Sequence, residues 1–195
     1  MMSGRPTSPP AAREPGSPSD PDIMSRLARG DGDALGQLYD RYQQPLRRFL
    51  VQATADAEDV DDLVHQTFLA AAQIAGRYDG RLSCRPWLIG IAAQLLRRRR
   101  RAVARFFAVL SSATGGRAAN VDPGGMLQAR SDVERALLQI SEAKRITLLM
   151  AEVEGLTCPE IAAALQIPIG TVWTRLHAAR RELRRILTLG EGNQP

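Results

Sequence analysis

Only His65 and His177 could move a proton at neutral pH, and neither falls in a pattern with a nucleophile and a carboxylate that would make it a catalytic base. There is no glycine-rich phosphate loop and no metal-spaced cluster. Cys84 and Cys158 lie far apart, as inert thiols of a reducing compartment do. The chain therefore reads as no enzyme, with no cofactor, no metal site and no small-molecule substrate. What it carries in quantity is arginine, whose planar fork suits phosphate better than lysine does. Six arginines fall between residues 97 and 105 without one acid, in a chain of net charge +5. Residues 22–62 have the opposite balance, nine carboxylates against five arginines. A basic stripe and an acidic face point to two kinds of partner, a polyanion and a basic protein surface. Arginine-rich codon usage and the attraction of cations to a helix C-terminus remain plainer readings of the same charge.

The elements that must hold these residues are helical, and no segment shows strand alternation. Residues 1–20, rich in Pro, Ser and Gly, read as a disordered leader. Ile23, Leu27, Leu35, Leu38, Tyr39 and Tyr42 recur at helical spacing around a Gly30–Gly32 turn, and Pro45 precedes a further run. The stripe Val64, Phe68, Ala71, Ala75 predicts a helix over 59–76. A turn at Tyr78-Asp79-Gly80 precedes another helix near Pro86, with Leu88, Ile91, Ala92 and Leu95 on its apolar face. Residues 111–130 lose periodicity and carry two glycine pairs and a proline, which predicts a linker. Helical pattern then resumes from 131 to 189. The expectation is an all-α chain of two small helical domains on a flexible linker. The boundaries are 1–20 leader, 21–105 first domain, 106–130 linker, 131–189 second domain and 190–195 tail. No stretch has the length and apolarity of a membrane-spanning helix, and no secretory signal opens the chain, so a cytoplasmic location without membrane insertion is expected.

The strongest local signal is the run from Glu154 to Leu165. Thr157 and Glu160 have capping-box spacing, and Pro159 falls in the first turn, where its missing N–H costs nothing. Gln166-Ile167-Pro168 then breaks the pattern before a longer helix. Val172, Leu176, Ala179 and Leu183 share one side of that helix, while Thr174, His177, Ala178 and Arg181, flanked by Trp173 and Arg175, lie away from it. A capped helix, a turn and a helix with hydroxyl, imidazole and guanidinium donors outward is what reading a major groove requires. A plain helical hairpin fits the same spacing.

These residues also resemble a known family. The run Glu154-Gly155-Leu156-Thr157 through Pro168-Ile169-Gly170-Thr171-Val172-Trp173-Thr174-Arg175-Leu176-His177-Ala178-Ala179-Arg180 is similar to the promoter-reading domain four of extracytoplasmic-function (ECF) sigma factors of the sigma-70 family, near EGLSYEEIA…LGIPVGTVKSRLHRAR. Asp62-Leu63-Val64-His65-Gln66-Thr67-Phe68-Leu69 resembles DLVQETFL, and Cys84-Arg85-Pro86-Trp87-Leu88-Ile89-Gly90-Ile91-Ala92 resembles FRPWLYRIA of domain two. The resemblance implies a transcription initiation factor that binds core RNA polymerase and recognises and melts promoter DNA. Asp61, Asp62, Gln66 and Thr67 would meet the β′ coiled coil, and the β flap would be a second polymerase contact. Tyr78, Arg85, Trp87, Gln94, Arg97, Arg98 and Arg101 would approach the minus-ten strand. Thr171, Trp173, Thr174, Arg175, His177, Ala178 and Arg181 would read the minus-thirty-five element. An anti-sigma protein is an implied partner. The chain departs from the family pattern at Cys84, Gln94, Arg98, Gln166, Trp173 and Ala178. The alternative is a stand-alone helix-turn-helix regulator, which leaves the acidic helix and the Pro-Trp segment without a purpose.

Overall fold

The structure, a computed structural model, describes residues 18–54, 60–80, 83–114 and 131–191. Residues 1–17 of the expected leader, 115–130 of the expected linker and 192–195 of the tail lie outside the described residues. Among the described residues there are eight α-helices, one 3-10 turn and no strand. The first group is α1 (Asp20–Ala28), α2 (Gly32–Ala53), α3 (Val60–Gln73), the 3-10 turn Ala75–Arg77 and α4 (Cys84–Thr114). The second is α5 (Asp132–Gln139), α6 (Glu142–Glu152), α7 (Cys158–Leu165) and α8 (Ile169–Glu191).

The expected stripe of α3 is buried at Val64, Phe68 and Ala71, and at Ala75 in the turn that follows. Pro45 does not end its helix. α2 runs through it because Leu38 before it and Leu46, Phe49 and Leu50 after it enter one core. That burial outweighs a backbone cost of about 3 kcal/mol. α4 is longer than its sequence pattern suggested and continues past residue 105 to Thr114.

The leader boundary needs correcting. Ser19 caps α1 in a reciprocal capping box with Asp22, and Asp20, placed in the leader by composition, is only 3% exposed. Its carboxylate accepts hydrogen bonds from Arg41 at 2.7 Å, from the Tyr42 hydroxyl at 2.5 Å and from the Cys84 amide at 3.4 Å. Burial pushes this carboxyl up, but the Tyr42 and Arg41 bonds outweigh it and hold it below its ordinary value. The same burial, with Asp20 alongside, pushes the Cys84 thiol up to about 12, which leaves it protonated and unreactive at neutral pH. One short acid thus ties the start of α1 to α2 and to the first turn of α4.

In the second group α6 supplies the centre, with Ile146, Leu149 and Met150 buried. The two groups share one continuous apolar core, in which α7 lies on α4 and α6 lies on α2. Arg145 is buried at this junction. Its guanidinium donates to the carbonyl of Ala53 in α2 at 2.9 Å, and to those of Leu137 and Leu138 in α5 at 3.3 Å. A buried guanidinium is tolerated when several carbonyls satisfy its fork.

Candidate nucleic-acid interface

The second group presents a helix-turn-helix. Thr157 and Glu160 close the expected capping box, the Thr157 amide donating to the Glu160 carboxylate at 2.8 Å. Gln166, the C-cap of α7, takes the left-handed conformation at φ 54°, and the Ile167 amide reaches back to the Ala162 carbonyl at 3.1 Å. This is the turn a glycine usually makes, performed by glutamine at a cost in backbone strain. Pro168 and Ile169 then open α8.

α8 faces inward with Val172, Leu176 and Ala179, all buried, as the spacing predicted. It is fastened to α6 by Lys144–Glu182 at 2.5 Å and Arg180–Glu152 at 2.7 Å. Trp173, Thr174 and His177 point to solvent, Trp173 at 62% exposure, and Arg181 is exposed beside them. Thr171, Arg175 and Ala178 are half-buried. The Thr174 hydroxyl donates to the Gly170 carbonyl at 2.9 Å, which orients its lone pairs outward. Trp173, His177, Arg180, Arg181 and Arg184 line an open groove of about 430 Å³. Arg180 and Arg184 were not among the residues expected here. Widening the face of His177 to its flank would have found Arg180, and continuing it by one more turn would have found Arg184.

Of the expected minus-ten residues all but Tyr78, which follows the 3-10 turn, lie on α4, and their surroundings are unequal. Tyr78 and Trp87 meet edge to face, ring centres 5.4 Å apart. Arg98 and Arg101 are exposed, whereas Arg85, Gln94 and Arg97 are half-buried. Arg85 forms an ion pair with Glu154, whose side chain is 2% exposed. Burial raises the Glu154 carboxyl above its ordinary value, with Arg85 pulling the other way. Arg97 is partly desolvated and has Arg175 and Arg101 for neighbours, which makes its charge costlier to hold. On α3, Asp61, Asp62, His65 and Gln66 are exposed, with Leu69 a turn further along. Arg47 pairs with Asp61 at 2.9 Å, and Gln66 donates to Asp62 at 2.8 Å. Thr67 does not join this face. It is fully buried and its hydroxyl donates to the Leu63 carbonyl at 2.6 Å, so its position half a turn from the exposed row makes it a core residue.

The sequence profile of sigma-70 region 2 matches residues 38–106, and that of sigma-70 region 4 matches residues 130–183. The chain belongs to the ECF sigma factors of the sigma-70 family. The RNA polymerase sigma factor CarQ of Myxococcus xanthus is 30% identical over 167 residues, 84% of this chain and 95% of CarQ. The ECF sigma factor SigL of Mycobacterium tuberculosis is 32% identical over 174 residues, 86% of this chain and 96% of SigL. Among solved structures, CnrH in complex with the cytosolic domain of CnrY superposes with a TM-score of 0.61 at 25% identity, covering 87% of this chain and 97% of CnrH. The sigma factor RpoE of Bartonella quintana, solved with the anti-sigma factor NepR, has the same fold, with a TM-score of 0.60 at 22% identity, covering 77% of this chain and 98% of RpoE. This sigma factor is thus a transcription initiation factor that directs RNA polymerase to promoters. Among its described residues no helix is long and apolar enough to cross a membrane.

Proposed function

We propose that three faces of this sigma factor divide the work of initiation. The exposed row Asp61, Asp62, Gln66 on α3 docks on the basic β′ coiled coil of core polymerase, a reading supported by its acidic character and its freedom from core packing. The α4 face with Tyr78, Arg85, Trp87, Gln94, Arg97, Arg98 and Arg101 receives the opened minus-ten strand. Its aromatic pair offers a stacking surface and its arginines hold phosphates. The outer face of α8, with Thr171, Trp173, Thr174, Arg175, His177, Ala178 and Arg181, reads the minus-thirty-five duplex in the major groove. A second polymerase contact, to the β flap, falls to the domain over residues 131–189. The first group of helices, from the Ser19 cap of α1 through α4, carries the other two faces. A stand-alone regulator would use only α8 and leave the acidic row idle.

The observation that carries this reading is the single exposed face of α8. It places hydroxyl, imidazole, indole and guanidinium groups together outside the core, where base edges and phosphates can be met without unfolding anything. Reconstituted transcription with core polymerase on genomic fragments tests it. Added sigma factor should create discrete start sites. Loss of those starts in His177→Ala or Arg181→Ala, with polymerase binding retained, would support the assignment to α8. Unchanged promoter choice in both variants would refute it.

We also propose an anti-sigma partner for this chain, because CnrH, similar over nearly its whole length, was solved with the cytosolic domain of CnrY. Affinity purification from native cells that recovers only polymerase subunits would count against that partner.

A further inference from the structure

Asp20 belongs to none of the three faces assigned to polymerase and DNA, and it lies ahead of the region 2 match, which begins at residue 38. It nevertheless reaches the residues that present the aromatic pair. Its carboxylate accepts from the amide of Cys84, the first residue of α4, at 3.4 Å, and from the Cys84 thiol as well. The sulfur in turn accepts from the hydroxyl of Tyr78. Tyr78 meets Trp87, one turn into α4, edge to face, and both rings are half-buried. α1 also packs against the 3-10 turn, whose C-cap is Tyr78. The start of α1 thus bears on both rings, on Tyr78 through the turn and the sulfur and on Trp87 through the first turn of α4.

The hydrogens of this relay are in place at neutral pH. Burial, and then the Cys84 neighbour, raise the Tyr78 hydroxyl above its ordinary value, and burial keeps the Cys84 thiol protonated. Tyr78 donates to the sulfur, the sulfur donates to the carboxylate, and the chain of donors runs one way. An apolar residue in place of Asp20 would fasten α1 to α2 without the cost of burying a charge. What the carboxylate adds is direction. It fixes where the first amide of α4 and the sulfur lie, and so the angle at which the two rings meet. The family pattern FRPWLYRIA has phenylalanine where Cys84 stands, and a phenyl ring has no hydrogen to donate to Asp20. The relay therefore goes with the cysteine of this chain. Rings ordered beforehand spare an incoming base the cost of ordering them.

We propose that Asp20 is a positioning residue for promoter opening: acting through Cys84, it sets the Tyr78–Trp87 pair as the surface on which an unpaired base of the opened strand stacks. The inference rests on the assignment of this end of α4 to the minus-ten strand. Its consequence is selective. Capture of single-stranded DNA depends on Asp20, whereas docking on core polymerase does not.

The test uses the full chain assembled with core polymerase. The probe is a fluorescent single-stranded oligonucleotide carrying the non-template minus-ten sequence of a start site mapped with the wild type. Asp20→Asn should weaken its binding by about five-fold, which is what ordering one side chain is worth, while affinity for core polymerase is unchanged. Cys84→Ala, which cuts the relay and leaves Arg41 and Tyr42 on Asp20, should give the same loss. Cys84→Ser, which restores a donor and an acceptor, should return binding to within about two-fold of wild type. Should Asp20→Asn lose its helical circular dichroism, the two Cys84 variants decide. Wild-type oligonucleotide binding in a folded Cys84→Ala chain overturns the proposal. So does a serine variant as weak as the alanine one, or a parallel loss of core affinity, since either would make the site a matter of packing.

A second measurement needs no DNA. In a Trp173→Phe background, which leaves Trp87 as the one indole, the time-resolved emission anisotropy of Trp87 reports its freedom. Cys84→Ala should loosen Trp87 and Cys84→Ser should not; equal mobility in all three chains overturns the positioning. Trp87→Ala with undiminished oligonucleotide binding would strike the minus-ten assignment itself, and the anisotropy would then decide the positioning alone.

Discussion

The outer face of α8 stands clear of the protein, whereas the corresponding face of α4 is interleaved with it. Trp173, Thr174 and His177 of α8 make no demand on the core, which lies behind them at Val172, Leu176 and Ala179. On α4, Arg85 is paired with Glu154, and Gly90 lies under the Ala164 carbonyl. Duplex DNA offers an ordered groove, so a rigid exposed helix suffices to read it. An opened strand has to be captured in a shape it does not hold alone, and the α4 face proposed to capture it is also a joint between domains. Substitutions should therefore separate cleanly into stability and recognition on α8 and mix the two on α4.

The largest expected effect lies in the network under α4. Asp20→Ala leaves the Tyr42 hydroxyl without its acceptor and the Arg41 guanidinium with only the Pro18 carbonyl, and should lower unfolding free energy by about 3 kcal/mol in chemical denaturation. The pH dependence follows from the depressed carboxyl. Its stabilisation is complete above the ordinary aspartate value near 3.8 and is lost as pH falls through the lower folded value. The gap between wild type and variant should therefore be full at pH 7 and shrink below about pH 4. A gap that widens in acid would remove Asp20 from this role.

Next in size is Arg145→Met, which strips the Ala53, Leu137 and Leu138 carbonyls of a donor. About 2 kcal/mol should be lost, and a urea titration is enough to see it. If the cost is instead within the scatter of surface substitutions, the joint between α2 and α6 is looser than the structure shows.

Thr174→Ala on the free face sharpens the contrast. It should relax discrimination at one minus-thirty-five base pair by about ten-fold, or about 1.4 kcal/mol, in competition binding against single-base variants. Stability should stay within about 0.5 kcal/mol of wild type. A drop in melting temperature without a change in base preference would make Thr174 structural. The smallest change expected is a gain. Gln166→Gly should stabilise the chain by about 0.5–1 kcal/mol, since its left-handed backbone carries no Cβ penalty in glycine. Thermal melting resolves that difference.

Much of the helix-turn-helix was legible because its determinants are local. The Thr157–Glu160 box, the Pro159 first turn, the left-handed Gln166 and the buried side of α8 each involve residues within a turn or two of one another, where periodicity and capping rules apply. Asp20 was misread as leader because its partners, Arg41, Tyr42 and Cys84, are remote in sequence. Thr67 was assigned to a surface by family resemblance, and its burial depends on which side of α3 meets the core. Arg184 was missed because the face was followed a turn too short, and Arg180 because it was taken too narrow.

By itself the amino-acid sequence determined the helical character, the division into two units, the acidic and arginine-rich faces, and the family. Each of these is a matter of residue type at short spacing. Only the tertiary structure decided that Arg85 would be neutralised by Glu154, that Arg145 would cross to α2, and that Gly90 would admit the backbone of α7. Those outcomes depend on which distant surfaces meet, and no short-range periodicity encodes the meeting of two helices some seventy residues apart.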